Sequence, residues 1–132
     1  MAKFSSTSVL DGGSDVMRTL AGTASRVKMH VIKAYAFGDS YATVIGNSCG
    51  SVDLVAADIA QSANGNNRRT TFAAKAIALT ASSGAAPNLH IAVLDSTGSA
   101  VLYVADETTD QVLTSGGTFN VPAFTYDVNQ PT

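Results

Sequence analysis

The sequence predicts an all-β fold: a single-domain β-sandwich or flattened barrel of about seven or eight strands with one short N-terminal helix. Three observations predict it. Two alternating apolar runs flank a turn between Asn88 and Ala105, turn-forming residues recur roughly every eight to twelve positions, and one stretch alone carries a helical stripe of any length. In the central hairpin Leu89, Ile91 and Val93 point one way and His90, Ala92 and Leu94 the other. Asp95-Ser96-Thr97-Gly98 reverses the chain, and Ala100, Leu102 and Val104 alternate with Val101, Tyr103 and Ala105 on the return. Apolar side chains on both faces require a second layer over one side and at least partial cover on the other, with a contact surface as a further expectation.

In chain order, residues 1–13 read as an extended N-terminal arm and turn, polar and irregular until Val9-Leu10 and then rich in breakers at Asp11-Gly12-Gly13-Ser14. Residues 14–132 form the β domain. Ser14 or Asp15 caps a short helix over 15–23, whose apolar side of Val16, Met17, Leu20 and Ala21 packs across an end of the sheet. From Arg26 the period changes to two, predicting a long strand that runs through Ala34-Tyr35-Ala36. Glycines break Gly38 to Gly50, leaving Tyr41 to Ile45 as a brief strand or a loop. Ser51 to Val55 alternates again, and Ala56 to Ile59 is a turn.

Asn64-Gly65 signals a primed-type reversal, so a long strand over Arg69 to Ala81 should follow. It sets Phe72, Ala74, Ala76 and Ala78 on one face and Thr71, Ala73, Lys75, Ile77 and Leu79 on the other. Its alanines would also suit a helix, but the flanking threonines, the preceding turn and the Ser82-Ser83-Gly84 stop favour a strand. After the central hairpin come a turn near Asp106-Glu107-Thr108, a strand around Asp110 to Thr114, and a reversal at Ser115-Gly116-Gly117. The last strand spans Thr118 to Val128, and Pro122 inside it marks an edge position or a bulge.

Composition narrows the function. At 132 residues the chain is one domain long, and its charged fraction of 14% falls well below the usual share of about 25%. Short neutral side chains fill the gap, which suits a surface that packs against neighbours better than one kept apart by charge. A formal net charge of −2 offers no footprint for direct nucleic-acid binding, and Arg68-Arg69 is the one adjacent basic pair. Neither export by a signal peptide nor membrane insertion is indicated. A single cysteine, Cys49, excludes an internal disulfide and fits assembly in a reducing cytoplasm, with the thiol a buried filler.

Two motifs suggest chemistry. Phe37-Gly38-Asp39-Ser40 matches the first block of the GDS-type esterases, yet no histidine stands three residues after an aspartate: Pro87 precedes His90 at that spacing and Val27 precedes His30. A turn linking two strands is the simpler reading. Gly46-Asn47-Ser48-Cys49-Gly50 has the letters of a nucleophile elbow, but a strand follows where the elbow needs a helix. Ser40 and Ser48 are therefore not assigned as nucleophiles. His30 and His90 lie on strands without ligand-spaced partners, and Asp53, Asp58, Asp106, Glu107 and Asp110 lack a calcium-loop spacing. The sequence thus predicts no catalytic, cofactor or metal residues, no cofactor and no enzymatic activity. A carbohydrate-binding module is disfavoured by the absence of tryptophan.

The chain resembles a family of small virion structural proteins of tailed bacteriophages. The resemblance is carried by Ser5 to Gly13 (SSTSVLDGG), Ala34 to Gly46 (AYAFGDSYATVIG), the Leu89 to Val104 hairpin with Val101-Leu102-Tyr103-Val104, and the ending Thr118-Phe119-Asn120-Val121-Pro122-Ala123-Phe124. It implies a head decoration or cement role: the major capsid protein as partner, a homo-oligomer (dimer or trimer) on the shell, and a virion location after synthesis in the host cytoplasm. The arm, Met1 to Leu10, would extend across an adjacent subunit. A tail, neck or fibre component is the structural alternative, and a small serine esterase the alternative from another class.

Overall fold

The computed structural model describes residues 5–6, 10–107 and 109–132. The fold is a β-rich single domain with 41% of the chain in strands. Its elements are α1 (Gly12–Ala21), β1 (Val27–Ile32), α2 (Tyr41–Gly46), β2 (Ser48–Asp53), a 3-10 turn (Ala56–Asp58), β3 (Ile59–Asn64), β4 (Asn67–Phe72), β5 (Lys75–Ala78), β6 (His90–Asp95), β7 (Ala100–Asp106), β8 (Thr118–Val121) and β9 (Phe124–Val128). They form three antiparallel sheets ordered β2-β1-β6-β7, β3-β4-β9 and β5-β8. These do not close into a barrel, so the flattened-barrel expectation falls. Where β7 and β9 would have to pair, side chains meet instead: Tyr103 stacks on Tyr126 at 4.9 Å and on Phe124 at 6.2 Å.

One core serves all three sheets. Met29 and Val31 of β1, Ile91 and Val93 of β6, Phe72 of β4, Ile77 of β5 and Phe119 of β8 are all buried in it, with Met17 and Ala21 of α1. The ribbon opposite the four-stranded sheet explains how. β4 pairs with β9 and ends at Phe72 facing Phe124, and β5 pairs with β8 beginning at Lys75 facing Val121. The register is the same on both sides of a gap holding Ala73-Ala74 and Pro122-Ala123. Pro122 has no N–H to give to the ladder, so pairing lapses there. The ribbon turns over at the gap: Thr70 and Phe72 are buried before it, Ile77 and Leu79 after it. The single strand expected over Arg69 to Ala81, with one fixed set of faces, is thus two strands of opposite parity. The strand expected over Thr118 to Val128 divides at the same place, giving nine strands among the described residues.

Other elements differ from the sequence expectation for local reasons. Helix α1 begins at Gly12, inside the expected turn, because Ser14 donates to the Asp11 carbonyl at 3.0 Å while the Asp11 carboxylate accepts from Arg68 at 3.0 Å. Leu10 and Asp11 are already buried, so packing starts before residue 14; the rest of the expected arm, residues 1–4 and 7–9, lies outside the described residues. Val16 stands 56% exposed, and the helix buries Met17 and Ala21 against β1, β3 and the 3-10 turn. β1 stops at Ile32. Tyr41 to Ile45 is helical, capped by Ser40, whose Oγ accepts from the Thr43 N–H at 3.2 Å. Asp110 to Thr114 forms no strand: Ser83 and Leu113 hold each other through Leu113 N–H to Ser83 Oγ at 2.8 Å and Ser83 N–H to the Leu113 carbonyl at 3.0 Å. The reversal near Asn64 is as expected, with Gly65 at φ 61° opening a two-residue turn.

The central hairpin is covered on both faces. Beside the main core, Ala92 and Leu94 of β6 join Ile32 and Val44 in a second cluster, with Tyr35, Tyr41, Val101 and Val104 against it. A bulge makes this possible: Val93 faces Tyr103 while Leu94 faces Val101, leaving Leu102 extra. Val101 and Val104, three residues apart, can then share one face.

β2 is joined to the segment after β5 by a bridge between Gly50 and Leu79. A Cβ on Gly50 would sit 2.4 Å from the Ala78 carbonyl oxygen, whereas one on Gly46 would meet nothing within 4 Å. Gly50→Ala is therefore expected to destabilise the domain by about 1–3 kcal/mol. Gly46→Ala should leave it unchanged or slightly stabilised. Urea midpoints of the two variants check this, and equal midpoints would contradict the bridge.

Candidate functional site

Of the groups singled out by sequence, the fold brings His30 and Ser48 together. β1 points Met29 and Val31 into the main core, which sends His30 to the opposite face with Ile32. In β2 the pairing slips between Val31 facing Gly50 and Ile32 facing Ser48, so Cys49 is the extra residue of a bulge. Ser48 then reaches the face of His30, and its Oγ lies 2.7 Å from His30 Nδ1 and 3.3 Å from the Gly50 carbonyl oxygen. Sequence reasoning missed this contact because the two residues lie on different strands and the bulge that aligns them has no signature of its own.

His30 is 7% exposed. Burial, helped by the Lys28 cation, lowers its pKa to about 4, so the ring is uncharged at neutral pH. Two proton arrangements satisfy the pair. Either Ser48 donates to Nδ1, or Nδ1–H donates to Oγ and Oγ–H donates to Gly50. A serine nucleophile further needs a base that can hold the proton and a third group that stabilises the imidazolium. Among the described residues no carboxylate hydrogen-bonds to His30, and the charge that acts on it is a cation. The pair ties β1 to β2 and is poorly built for acyl transfer.

The other candidates, apart from His90 beside Asp106, are dispersed. Ser40 caps α2 and touches Thr43 Oγ1 at 3.0 Å. The Gly46 to Gly50 motif runs from helix into strand, the reverse of a nucleophile elbow, and the Gly-Asp-Ser turn leads into a helix instead of a second strand. His90 donates from Nδ1 to the Asn88 carbonyl at 3.0 Å and faces Asp106 at 3.5 Å, with the Tyr35 ring 5.7 Å away. Asp53 pairs with Lys28, Asp58 with Lys75 at 2.8 Å, and Asp110 accepts from the Leu89 N–H at 2.9 Å. Among the described residues no three metal-ligating side chains converge. Cys49 is buried, and burial pushes its thiol pKa up.

Most cations among the described residues are engaged internally. Arg26 grips Asp95 in bidentate fashion at 2.9 and 3.0 Å, and Asp95 also accepts from the Thr97 and Gly98 N–H groups. The Arg26 hydrogen bonds, ahead of that from Gly98, lower its pKa to about 2. Arg69 holds Asp127 the same way at 2.7 and 2.9 Å, and Arg18 reaches Gln61 at 2.9 Å. A different surface feature stands out: Phe37 is 102% exposed. Comparison with family models, with curated proteins and with solved structures finds no match to this chain.

The His30 pKa lies below the ordinary value of 6.5, so the unfolded chain binds the proton more readily. Its contribution to stability is full above pH 6.5 and falls as pH drops toward 4. That amounts to a loss on the order of 3 kcal/mol. Urea unfolding at stepped pH should show it, and His30→Asn should flatten the curve in that window. The carboxylates with lowered pKa, Asp53, Asp95 and Asp127, act below it. A wild-type curve already flat in that window would sink the assignment.

Proposed function

We propose that this chain is a virion structural protein of tailed bacteriophages, a head decoration or cement protein that binds the outside of the shell and stabilises contacts between major capsid subunits. The three sheets are then an open β-sandwich, with β2-β1-β6-β7 as one layer and the kinked ribbon with β3 as the other. The protein works by contact and breaks no bonds. It acts as a homo-oligomer on the virion surface, touches neither nucleic acid nor membrane, and needs no cofactor.

The observation that carries the reading is where the polar chemistry points. Arg26, Lys28, Arg68, Arg69 and Lys75 are each closed on an aspartate of the same chain. That supports a protein recognised by shape and small neutral side chains, since little free positive potential remains to draw a phosphate backbone or a lipid surface. The His30–Ser48 pair, the one nucleophile–base contact among those weighed, lacks what turnover needs. Such a domain gains its hold from repetition around a symmetric shell, where each further contact is made at high effective concentration.

The N-terminal arm belongs to the same reading as the segment that reaches a neighbour. Where the arm is described it is held on its own chain: the Gln130 side-chain amide accepts from the Ser5 N–H at 2.7 Å and donates to the Ser5 carbonyl at 2.9 Å, and Leu10 is buried.

Counting copies per purified particle by cryo-EM tests the proposal. A shell coat gives on the order of hundreds, while a neck, tail or fibre part gives roughly a few dozen or fewer and would move the protein there. Absence from particles, or ester turnover that vanishes in Ser48→Ala, would overturn it.

A further inference from the structure

We propose that the Ala36–Asp39 turn and the outer stripe of α2 form the surface that seats this protein on its shell partner, with Phe37 as an anchor entering an apolar pocket of that partner. The assignment rests on the virion reading above and names the surface it requires.

Phe37 differs in kind from the other exposed apolar residues. Its exposure is 102%, whereas Val112 stands at 59%, Val16 at 56%, Val55 at 54% and Ile45 at 38%. The backbone that carries the ring is also held still. Asp39 N–H donates to the Ala36 carbonyl at 3.0 Å, and the Asp39 carboxylate accepts from the Ala36 N–H at 2.8 Å. Gly38 takes φ 90° at the third position, as a type II turn demands. A turn closed from both ends presents its aromatic side chain with little backbone entropy left to lose on binding.

The ground beneath the anchor is fixed and almost uncharged. Ser40 caps α2 directly after the turn, and Val44 pins the helix to the second cluster, against which Tyr35 and Tyr41 also pack. Ile45, next to Val44 on α2, is 38% exposed and carries the apolar surface outward from the half-buried Tyr41. Between Ala34 and Asn47 the single charged residue is Asp39. A protruding ring on a neutral rigid ridge is the shape of a protein-binding hot spot, complementary to a pocket.

Charge selects the occupant. A second copy meeting this ridge across a two-fold axis would bring two Asp39 carboxylates into the same drying contact, which disfavours self-pairing. A membrane would find one ring and, in the adjoining sequence, one cation, Lys33, far short of an interfacial anchor. The partner that fits is another protein whose apolar pocket has a neutral or basic rim able to receive Asp39.

The experiment titrates the purified full-length chain onto heads assembled without it. Phe37→Ala should weaken binding by roughly tenfold or more. Its thermal midpoint should not move, because the ring lies wholly in solvent. Ile45→Ser should weaken binding less, and Val112→Ser, an exposed apolar site elsewhere, should bind as wild type. Undiminished binding by Phe37→Ala, or an equal loss in Val112→Ser, would overturn the surface while leaving the virion reading intact. Wild-type chain that fails to bind heads would overturn both. A Phe37-dependent dimer in sedimentation, or Phe37-dependent pelleting with phosphatidylglycerol vesicles, would assign a different occupant and overturn the proposal.

Discussion

The fold depends on a lapse of two residues in an antiparallel ribbon. β4 with β9 and β5 with β8 keep one register, yet at Ala73-Ala74 and Pro122-Ala123 the ladder opens because proline cannot donate. Were the ribbon continuous, alternation would bury Phe72 and expose Ile77, or the reverse. The open step lets it turn over and deliver both to one core. On one side of the gap the ribbon presents Phe72 and Phe124 to Tyr103 of β7. On the other it presents Ile77 and Phe119, and Leu79 bridges to Gly50 on β2. The two outer edges of the four-stranded sheet thus meet the two halves of the ribbon, one through stacked rings and one through a backbone bridge, without a continuous barrel.

The same economy of bulges governs the four-stranded sheet. Leu102 is extra in β7 and Cys49 is extra in β2, one on each side of the β1–β6 pair. The first brings Val101 and Val104 onto the face of Ala92 and Leu94, where α2 lies. The second swings Ser48 to His30. β1 and β6 are consequently buried on both faces, an uncommon condition for an antiparallel sheet, and it requires a cover on the outer side. Helix α2 with Tyr35 supplies that cover, so the outward apolar face of the central hairpin is largely closed by the chain itself.

Much of this was legible in the residues. The hairpin of Leu89 to Ala105 stood out because both runs alternate and Asp95 to Gly98 is rich in turn formers, and the demand for cover on both faces followed from its side chains alone. The Asn64-Gly65 reversal was equally plain, since few residues other than glycine take the left-handed conformation that opens such a turn. What the letters hid were changes of parity. Nothing in Arg69 to Ala81 marks Ala73-Ala74 as a break, because the proline responsible lies some fifty residues on, in a strand that pairs only through the tertiary fold. Val16 looked like a core residue, but starting α1 at Gly12 and packing it on the 3-10 turn placed Met17 and Ala21 inward. Helix α2 escaped notice because six residues give too few turns for a periodic stripe, although Ser40 at its cap was a readable signal. The His30–Ser48 contact was invisible for the reason that hides most sites: two strands and a bulge had to be in place first.

What this frame can do follows from which of its groups remain available. The bidentate pairs at Asp95 and Asp127 clamp the β6–β7 turn and the β4–β9 ribbon, while Lys28–Asp53 ties β1 to β2, Arg68–Asp11 ties β4 to the start of α1, and Lys75–Asp58 ties β5 to the 3-10 turn. Charges tied so closely contribute rigidity and little long-range field. His30 is buried neutral beneath its strand partner, and Cys49 is shut inside the core. The solvent therefore meets charges that are largely paired and, at one corner, an aromatic ring on a turn braced from both ends. The proposed role on a repeating shell draws on this rigidity, because a fit that costs little ordering gains most where the same surface is offered many times.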